Sequence, residues 1–181
     1  MSTRHHGLGA VAAAALLAVS AVHAGTAEFS GNTTGQATFL RPLETFDAGP
    51  VGAAPVNYSP WMFTVDTAGS YDFLSQAVGG WDNFTLLYDQ TFSAANPTSG
   101  GLVANDDRDG GPNSGFSWNL AAGTPYVVVT TGFEGGVDFG AFQNAITGPG
   151  NVTMVPEPGT WALMAGGLLA LVAWRRRQTS G

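Results

Sequence analysis

The run Asn105-Asp106-Asp107-Arg108-Asp109-Gly110-Gly111-Pro112-Asn113-Ser114 crowds oxygen donors into ten residues. Asn105, Asp107 and Asp109 alternate, and Gly110 permits the chain to fold back, so their oxygens can converge on one hard cation, for which calcium is the natural choice. The spacing repeats the first half of an EF-hand loop. Phe116 stands at the twelfth position, where such a loop needs a carboxylate, and no helices flank it. An EF-hand is therefore rejected, and any site must recruit ligands from elsewhere. The competing reading is a solvated acidic turn whose Asp and Asn side chains cap their own backbone, with Arg108 easing the repulsion.

Catalytic chemistry is constrained by what is missing. The chain has no cysteine and no lysine, and its histidines are His5, His6 and His23, all inside an N-terminal segment that reads as a leader. Nucleophile activation by histidine, Schiff-base chemistry and the usual zinc ligands each need a nitrogen base or thiolate near neutral pH. Only carboxylates remain. A glycosidase could use two of them at about 5 to 9.5 Å, but most are aspartates in Gly-rich turns and no spacing sets two apart for opposed roles. The chain reads as non-catalytic.

Three tryptophans could offer flat faces to sugars. Alternation places Trp61 and Trp118 inward, whereas Trp81 lies in the turn Gly79-Gly80-Trp81-Asp82, either folded back as a lid or displayed to a ligand. Trp81 is thus the candidate ligand-binding aromatic. The sequons at Asn32, Asn57, Asn83 and Asn151 read as strand and turn composition.

The elements that carry these residues read as short strands. Between Gly25 and Val155 the chain is rich in Gly, Thr, Asn and aromatics and poor in strong helix formers. Trp61, Phe63 and Val65 alternate with Met62, Thr64 and Asp66, and Tyr71 and Phe73 follow after a short turn. Phe84, Leu86 and Tyr88 form a further inward row, as do Phe116, Trp118 and Leu120, while Tyr126 to Val129 is apolar on both sides like a central strand. Further strands follow from Gln36, Leu102, Val137 and Asn151, with Gly140 as a bulge inside the strand from Val137 toward Ile146. The expectation is an all-β fold, an antiparallel β-sandwich of jelly-roll type with about eight strands.

The two ends differ in kind from this middle. Residues 1–24 combine Arg4, an apolar stretch from Leu8 to Val22 and the small-residue site Val22-His23-Ala24, which reads as a helical secretory signal cut after Ala24. At the other end Val155-Pro156-Glu157-Pro158-Gly159 leads into an apolar run, Trp161 to Trp174, closed by Arg175, Arg176 and Arg177. Prolines break the incoming backbone, and the run is a marginal transmembrane helix of the kind that needs about 20 residues. The arginines hold its end on the cytoplasmic side. The division is 1–24 signal peptide, 25–154 sandwich domain and 155–181 tail.

This tail resembles the PEP-CTERM sorting signal of Gram-negative bacteria. The resemblance implies export through the Sec machinery and signal peptidase, transient residence in the inner membrane, and cutting by an exosortase-type membrane peptidase. It further implies a destination at the cell surface or in the extracellular matrix, in company with exopolysaccharide and biofilm. The middle is similar to pre-peptidase C-terminal-type sandwiches over residues 60 to 133, where Asp82 precedes Leu87-Tyr88-Asp89 and Asn105-Asp106-Asp107 precedes Ala122-Gly123-Thr124-Pro125-Tyr126. That resemblance implies a non-catalytic accessory module, often calcium-associated, in which Asp82, Asp106 and Asp107 share one ion.

Charge narrows the partners. The chain carries 6 basic and 13 acidic residues for a net charge of −7, and the middle keeps only Arg41 and Arg108 against twelve carboxylates. Such a field repels phosphate backbones, so nucleic acid is not an expected partner. Without disulfides the fold must rest on its apolar core and on any bound cation.

Overall fold

The computed structural model describes residues 25–46 and 54–155. The expected signal helix, the membrane helix and Arg175 to Arg177 lie outside the described residues. Among the described residues no helix is long and apolar enough to cross a membrane.

Among the described residues, ten strands form two antiparallel sheets: β1 (Gly25–Asn32), β2 (Thr38–Phe39), β3 (Val56–Val65), β4 (Gly69–Ala77), β5 (Asn83–Asp89), β6 (Gly101–Asn105), β7 (Ser114–Leu120), β8 (Tyr126–Gly132), β9 (Ala141–Gly148) and β10 (Val152–Met154). One sheet has the order β1-β9-β4-β7. The other runs β10-β3-β8-β5-β6, with β2 added to the edge of β3. β4 and β5 lie in opposite sheets, and from β7 onward each strand lies in the opposite sheet from the one before it, so these connections cross from one sheet to the other. The loops that carry the acidic residues are among these crossings.

The inward alternation read from Phe63, Val65, Tyr71 and Phe73 is the alternation observed. These side chains meet Leu87, Leu120, Val128 and Ile146 between the sheets, and Phe63 and Tyr71 are wholly buried. Trp61 and Trp118 pack against this cluster from its rim, and burying each large apolar side chain contributes about 1.5–3 kcal/mol.

The row Phe84, Leu86 and Tyr88 departs from the expectation. Its side chains point away from the opposite sheet and build a second cluster with Phe39, Val56, Val127 and Val129. Segments flanking β2 and following β5 roof this cluster with Phe46 and Phe92. The Phe92 ring meets Phe39, Tyr58 and Tyr88 edge-on at 5.1 to 5.4 Å, and the Tyr88 hydroxyl donates to Pro97 O at 2.7 Å. Covered on both faces, β5 and β8 are buried nearly end to end, and on β5 the inter-sheet face buries Asn83 and Thr85 through hydrogen bonds beside Leu87.

Two further corrections concern the strands themselves. β1 was not expected, because GTAEFSGN places only Ala27 and Phe29 inward beside glycines. The strand from Val137 does not form: residues 133–140 are a loop, Val137 is 64% exposed, and β9 starts at Ala141. Gly140 is thus no bulge. Its N–H donates to Thr33 Oγ1 and its carbonyl accepts from Thr33 N, which ties this loop to the end of β1.

Candidate functional site

Antiparallel pairing of β5 with β6 sets the start of one beside the end of the other, with Thr85 opposite Asn105. Asp82 stands just before β5 and Asp106-Asp107 just after β6, so all three project at the same end of the sheet. A buried amide network fixes that end. Asn83, fully buried, donates Nδ2 to Ser75 Oγ at 2.9 Å and accepts Ser114 N at Oδ1 at 2.8 Å, while Thr85 and Ser114 share a hydroxyl contact of 2.6 Å. These bonds clamp the sheets together directly beneath the acids.

One carboxylate oxygen from each of Asp82, Asp106 and Asp107 lies within 4.8 Å of the others. Asp82 Oδ1 and Asp106 Oδ1 are buried, and among the described residues neither has a hydrogen-bond partner. Burial first, then the charges of Asp82 and Asp107, pushes the Asp106 carboxyl up to about 6, with Arg41 opposing. The Asp82 carboxyl is raised by burial and then by Asp138 and Asp107. A trio of crowded carboxylates with orphaned buried oxygens can relieve itself by holding a proton or by sharing a cation.

The remaining donors expected from sequence point elsewhere. Asn105 Oδ1 accepts Gly115 N of β7 at 3.1 Å, because residue alternation along β6 turns it toward the neighbouring strand while Asp106 turns to the cluster. Asp109 sits exposed in a left-handed turn at φ 61° and does not join the acids. The alternating trio Asn105, Asp107, Asp109 is therefore not the set brought together. Arg108 also leaves, bonding Asp72 Oδ2 at 2.9 Å and Phe73 O at 2.8 Å.

Trp81 is folded back. Its ring lies over Gly140, where a Cβ would come within 2.6 Å of Nε1, and that N–H donates to Ala141 O at 3.0 Å. Of the two alternatives for this turn, the lid is the one observed. Asp138 steadies the same loop, accepting Asp82 N at Oδ1 and Glu134 N at Oδ2.

Arg41 was missed by sequence reasoning. It is 5% exposed, its guanidinium lies 4.2 Å from the Phe84 ring centre and 4.6 Å from that of Phe133, and its Nε donates to Phe133 O. Burial lowers its pKa, while Asp106, Asp82, Glu44 and Asp138 favour the charged form. The one signal available was its isolation, one of two arginines between residues 25 and 154 against twelve carboxylates there. Beside it opens a cavity of about 330 Å³ lined by Arg41, Leu43, Glu44, Phe84, Asp106 and Phe133.

Comparison with known proteins bears on the tail. Residues 155–177 match the family model described as the PEP-CTERM protein-sorting motif. No curated protein sequence matches the chain. Among solved structures, the chain is similar to the pre-peptidase C-terminal domain of collagenase from Bacillus anthracis at 11% identity and a TM-score of 0.42, covering 67% of this chain and 89% of that one. It is also similar to PliG from Aeromonas hydrophila, a periplasmic inhibitor of g-type lysozyme, at 10% identity and a TM-score of 0.40, covering 70% and 87%. The sorting motif marks an exported protein that is processed by an exosortase and sorted to the cell surface.

Proposed function

We propose that the mature protein is a non-catalytic component of the cell surface or extracellular matrix, delivered by its two end signals and associated with exopolysaccharide or biofilm. The observation that carries this reading is the sorting motif over residues 155–177 attached to a sandwich whose described residues hold no imidazole, thiol or lysine amine. The sandwich acts by binding rather than turnover. Asp82, Asp106 and Asp107 each turn a carboxylate oxygen to within 4.8 Å of the others, a set of hard donors that suits a shared cation. Deleting Pro156 to Arg177 and fractionating cells is the test. The deleted form should be lost from the surface fraction, and unchanged surface retention would refute the reading.

A second reading, favoured by the orphaned oxygens of Asp82 and Asp106, is a calcium-dependent glycan- or protein-binding module. Asp82, Asp106 and Asp107 would hold the ion, all hard oxygen donors of the type calcium prefers. A bound cation would neutralise the cluster and lock the β5 and β6 ends together beside the Arg41 cavity. Calorimetry with and without calcium tests it: melting temperature should rise with the ion, and no rise would remove the module reading.

A further inference from the structure

Antiparallel pairing sorts the connections between strands into two ends. The start of β5 lies opposite the end of β8, the end of β4 opposite the start of β9, the start of β3 opposite the end of β8, and the end of β6 opposite the start of β5. The β2–β3, β4–β5, β6–β7 and β8–β9 connections therefore share the end that holds the acid cluster. Among the described residues the large apolar side chains left exposed are Leu40, Leu43, Val78, Phe133, Val137 and Phe139, at 39% to 64% exposure, and all of them lie on connections of that end. A single exposed apolar residue is ordinary. A set confined to one end marks a surface that meets an apolar partner.

Two of these connections, Val78 to Asp82 and Phe133 to Gly140, lie wholly within the described residues and are stitched together. Phe133 donates its N–H to Asp82 O at 3.0 Å, and Ala141 O accepts both Val78 N at 2.8 Å and Trp81 Nε1 at 3.0 Å. Their aspartates turn into this frame: both oxygens of Asp138 accept backbone N–H groups, and Asp82 Oδ1 is buried. Val78, Phe133, Val137 and Phe139 are left exposed on a braced platform.

The course of β10 says what lies beyond this end. It runs antiparallel to β3, with Val152 opposite Val65 and Met154 opposite Phe63, and so heads toward the start of β3 and the apolar end. In sequence the apolar run of the tail opens at Trp161, six positions after Val155. Six residues reach at most roughly 20 Å. A tail held in a bilayer therefore keeps the sandwich close to the lipid, and the direction of β10 turns the apolar end toward it. Glu44, Asp107, Asp109 and Glu134 are exposed at the same end. Their carboxylates repel an anionic surface and tolerate a zwitterionic one, whose outermost group is an ammonium.

We propose that the end of the sandwich carrying Val78, Phe133, Val137 and Phe139 is a docking surface for the headgroup layer of a zwitterionic lipid bilayer. The apolar side chains enter the boundary between headgroups and acyl chains, and the exposed acids stay at the rim among the ammonium groups. Two attachments then hold the protein, the tail and this surface. Cutting the tail leaves only the weaker one, so the sandwich is free to depart. That the bilayer is the one holding the tail rests on the sorting reading above, whereas the apolar end is a property of the sandwich alone.

Fluorescent labelling of the full chain tests the surface, since the natural chain has no cysteine. Val137→Cys changes an exposed loop residue and leaves the core untouched, and Ala122→Cys, exposed on the β7–β8 connection, marks the opposite end. Each labelled chain is reconstituted into protein-free phosphatidylcholine vesicles with chelator, so that calcium plays no part. Iodide should quench the Val137 label at least about fivefold less than the Ala122 label, and lipid brominated in its acyl chains should quench the Val137 label alone. Adding Val78→Asp, or replacing half the lipid by phosphatidylglycerol, should restore iodide access at Val137. Equal iodide access at the two sites in chains that float with the vesicles overturns the docking surface and spares the anchor. Failure to float removes the anchor and the proposal together. Shielding that survives Val78→Asp, that grows on phosphatidylglycerol, or that arises only in native membranes and so points to a protein partner, overturns the proposal.

Discussion

Replacing Asp106 by asparagine keeps the shape of the side chain and removes one charge from three that crowd within 4.8 Å. The Asp106 carboxyl is raised from 3.8 to about 6 in the folded protein. A folded-state pKa above the unfolded value means that the native state binds more protons, so in the absence of a cation stability falls as pH rises from about 4 to about 6. At 1.36 kcal/mol per unit the shift amounts to about 3 kcal/mol, which solvent screening of this partly exposed group reduces to about 1–2 kcal/mol at neutral pH. Asp106→Asn removes that penalty. In chelator at pH 7 the variant should therefore melt higher than the natural protein by roughly 3–10 °C, at about 3–5 °C per kcal/mol for a domain of this size. Its stability should also lose the slope between about pH 4 and 6. With calcium the order reverses, because the natural protein gains about 2.7 kcal/mol at a hundredfold excess over the dissociation constant and the variant does not. Differential scanning calorimetry over that pH range, with chelator and with calcium, measures all of this. A variant less stable than the natural protein in chelator refutes the reasoning, since it would mean that the carboxylate is satisfied by a native partner.

Three more perturbations follow from the same contacts. Arg41→Met removes the positive charge that opposes the upward shifts of Asp82 and Asp106, so calcium affinity by isothermal titration should rise about 3- to 10-fold, an electrostatic change of order 1 kcal/mol. Gly148→Ala would drive a Cβ into the fully buried ring of Tyr71 and should destabilise by about 1–3 kcal/mol in urea unfolding. Phe63→Ala empties the centre of the inter-sheet cluster and should cost about 3–5 kcal/mol in the same assay.

The sequence made the sandwich legible wherever alternation was strict. Phe63, Val65, Tyr71 and Phe73 face inward as their spacing says, because one face of each strand meets a core and the other meets water. It failed on β5, where Phe84, Leu86 and Tyr88 are the more apolar phase and so read as inward, whereas the face toward the second sheet carries Asn83, Thr85 and Leu87 and is held partly by hydrogen bonds. The answer lay in the unpatterned segments around Phe39, Phe46 and Phe92, which cover the outer face only after the chain is folded. The Val137 strand was misread for a related reason: three apolar residues in a glycine-rich stretch look like a strand, yet Thr33 and Asp138 hold that stretch as a loop.

The acid cluster was half legible. Spacing alone selected Asn105, Asp107 and Asp109; the set the chain brings together, Asp82 with Asp106 and Asp107, was the one implied by the resemblance to pre-peptidase C-terminal-type sandwiches, because Asp82 reaches it through strand pairing that spacing does not show. Arg41 was invisible for the same reason, since its partners Phe84 and Phe133 are remote in sequence and its segment has no period.

The export account is tested most directly by mass spectrometry of the natural protein recovered from fractionated cells. The account predicts a mature chain that starts near Gly25, ends near the Pro156-Glu157-Pro158 triplet and is found outside the cytoplasm. A chain still ending at Gly181 in the cytosolic fraction would contradict it.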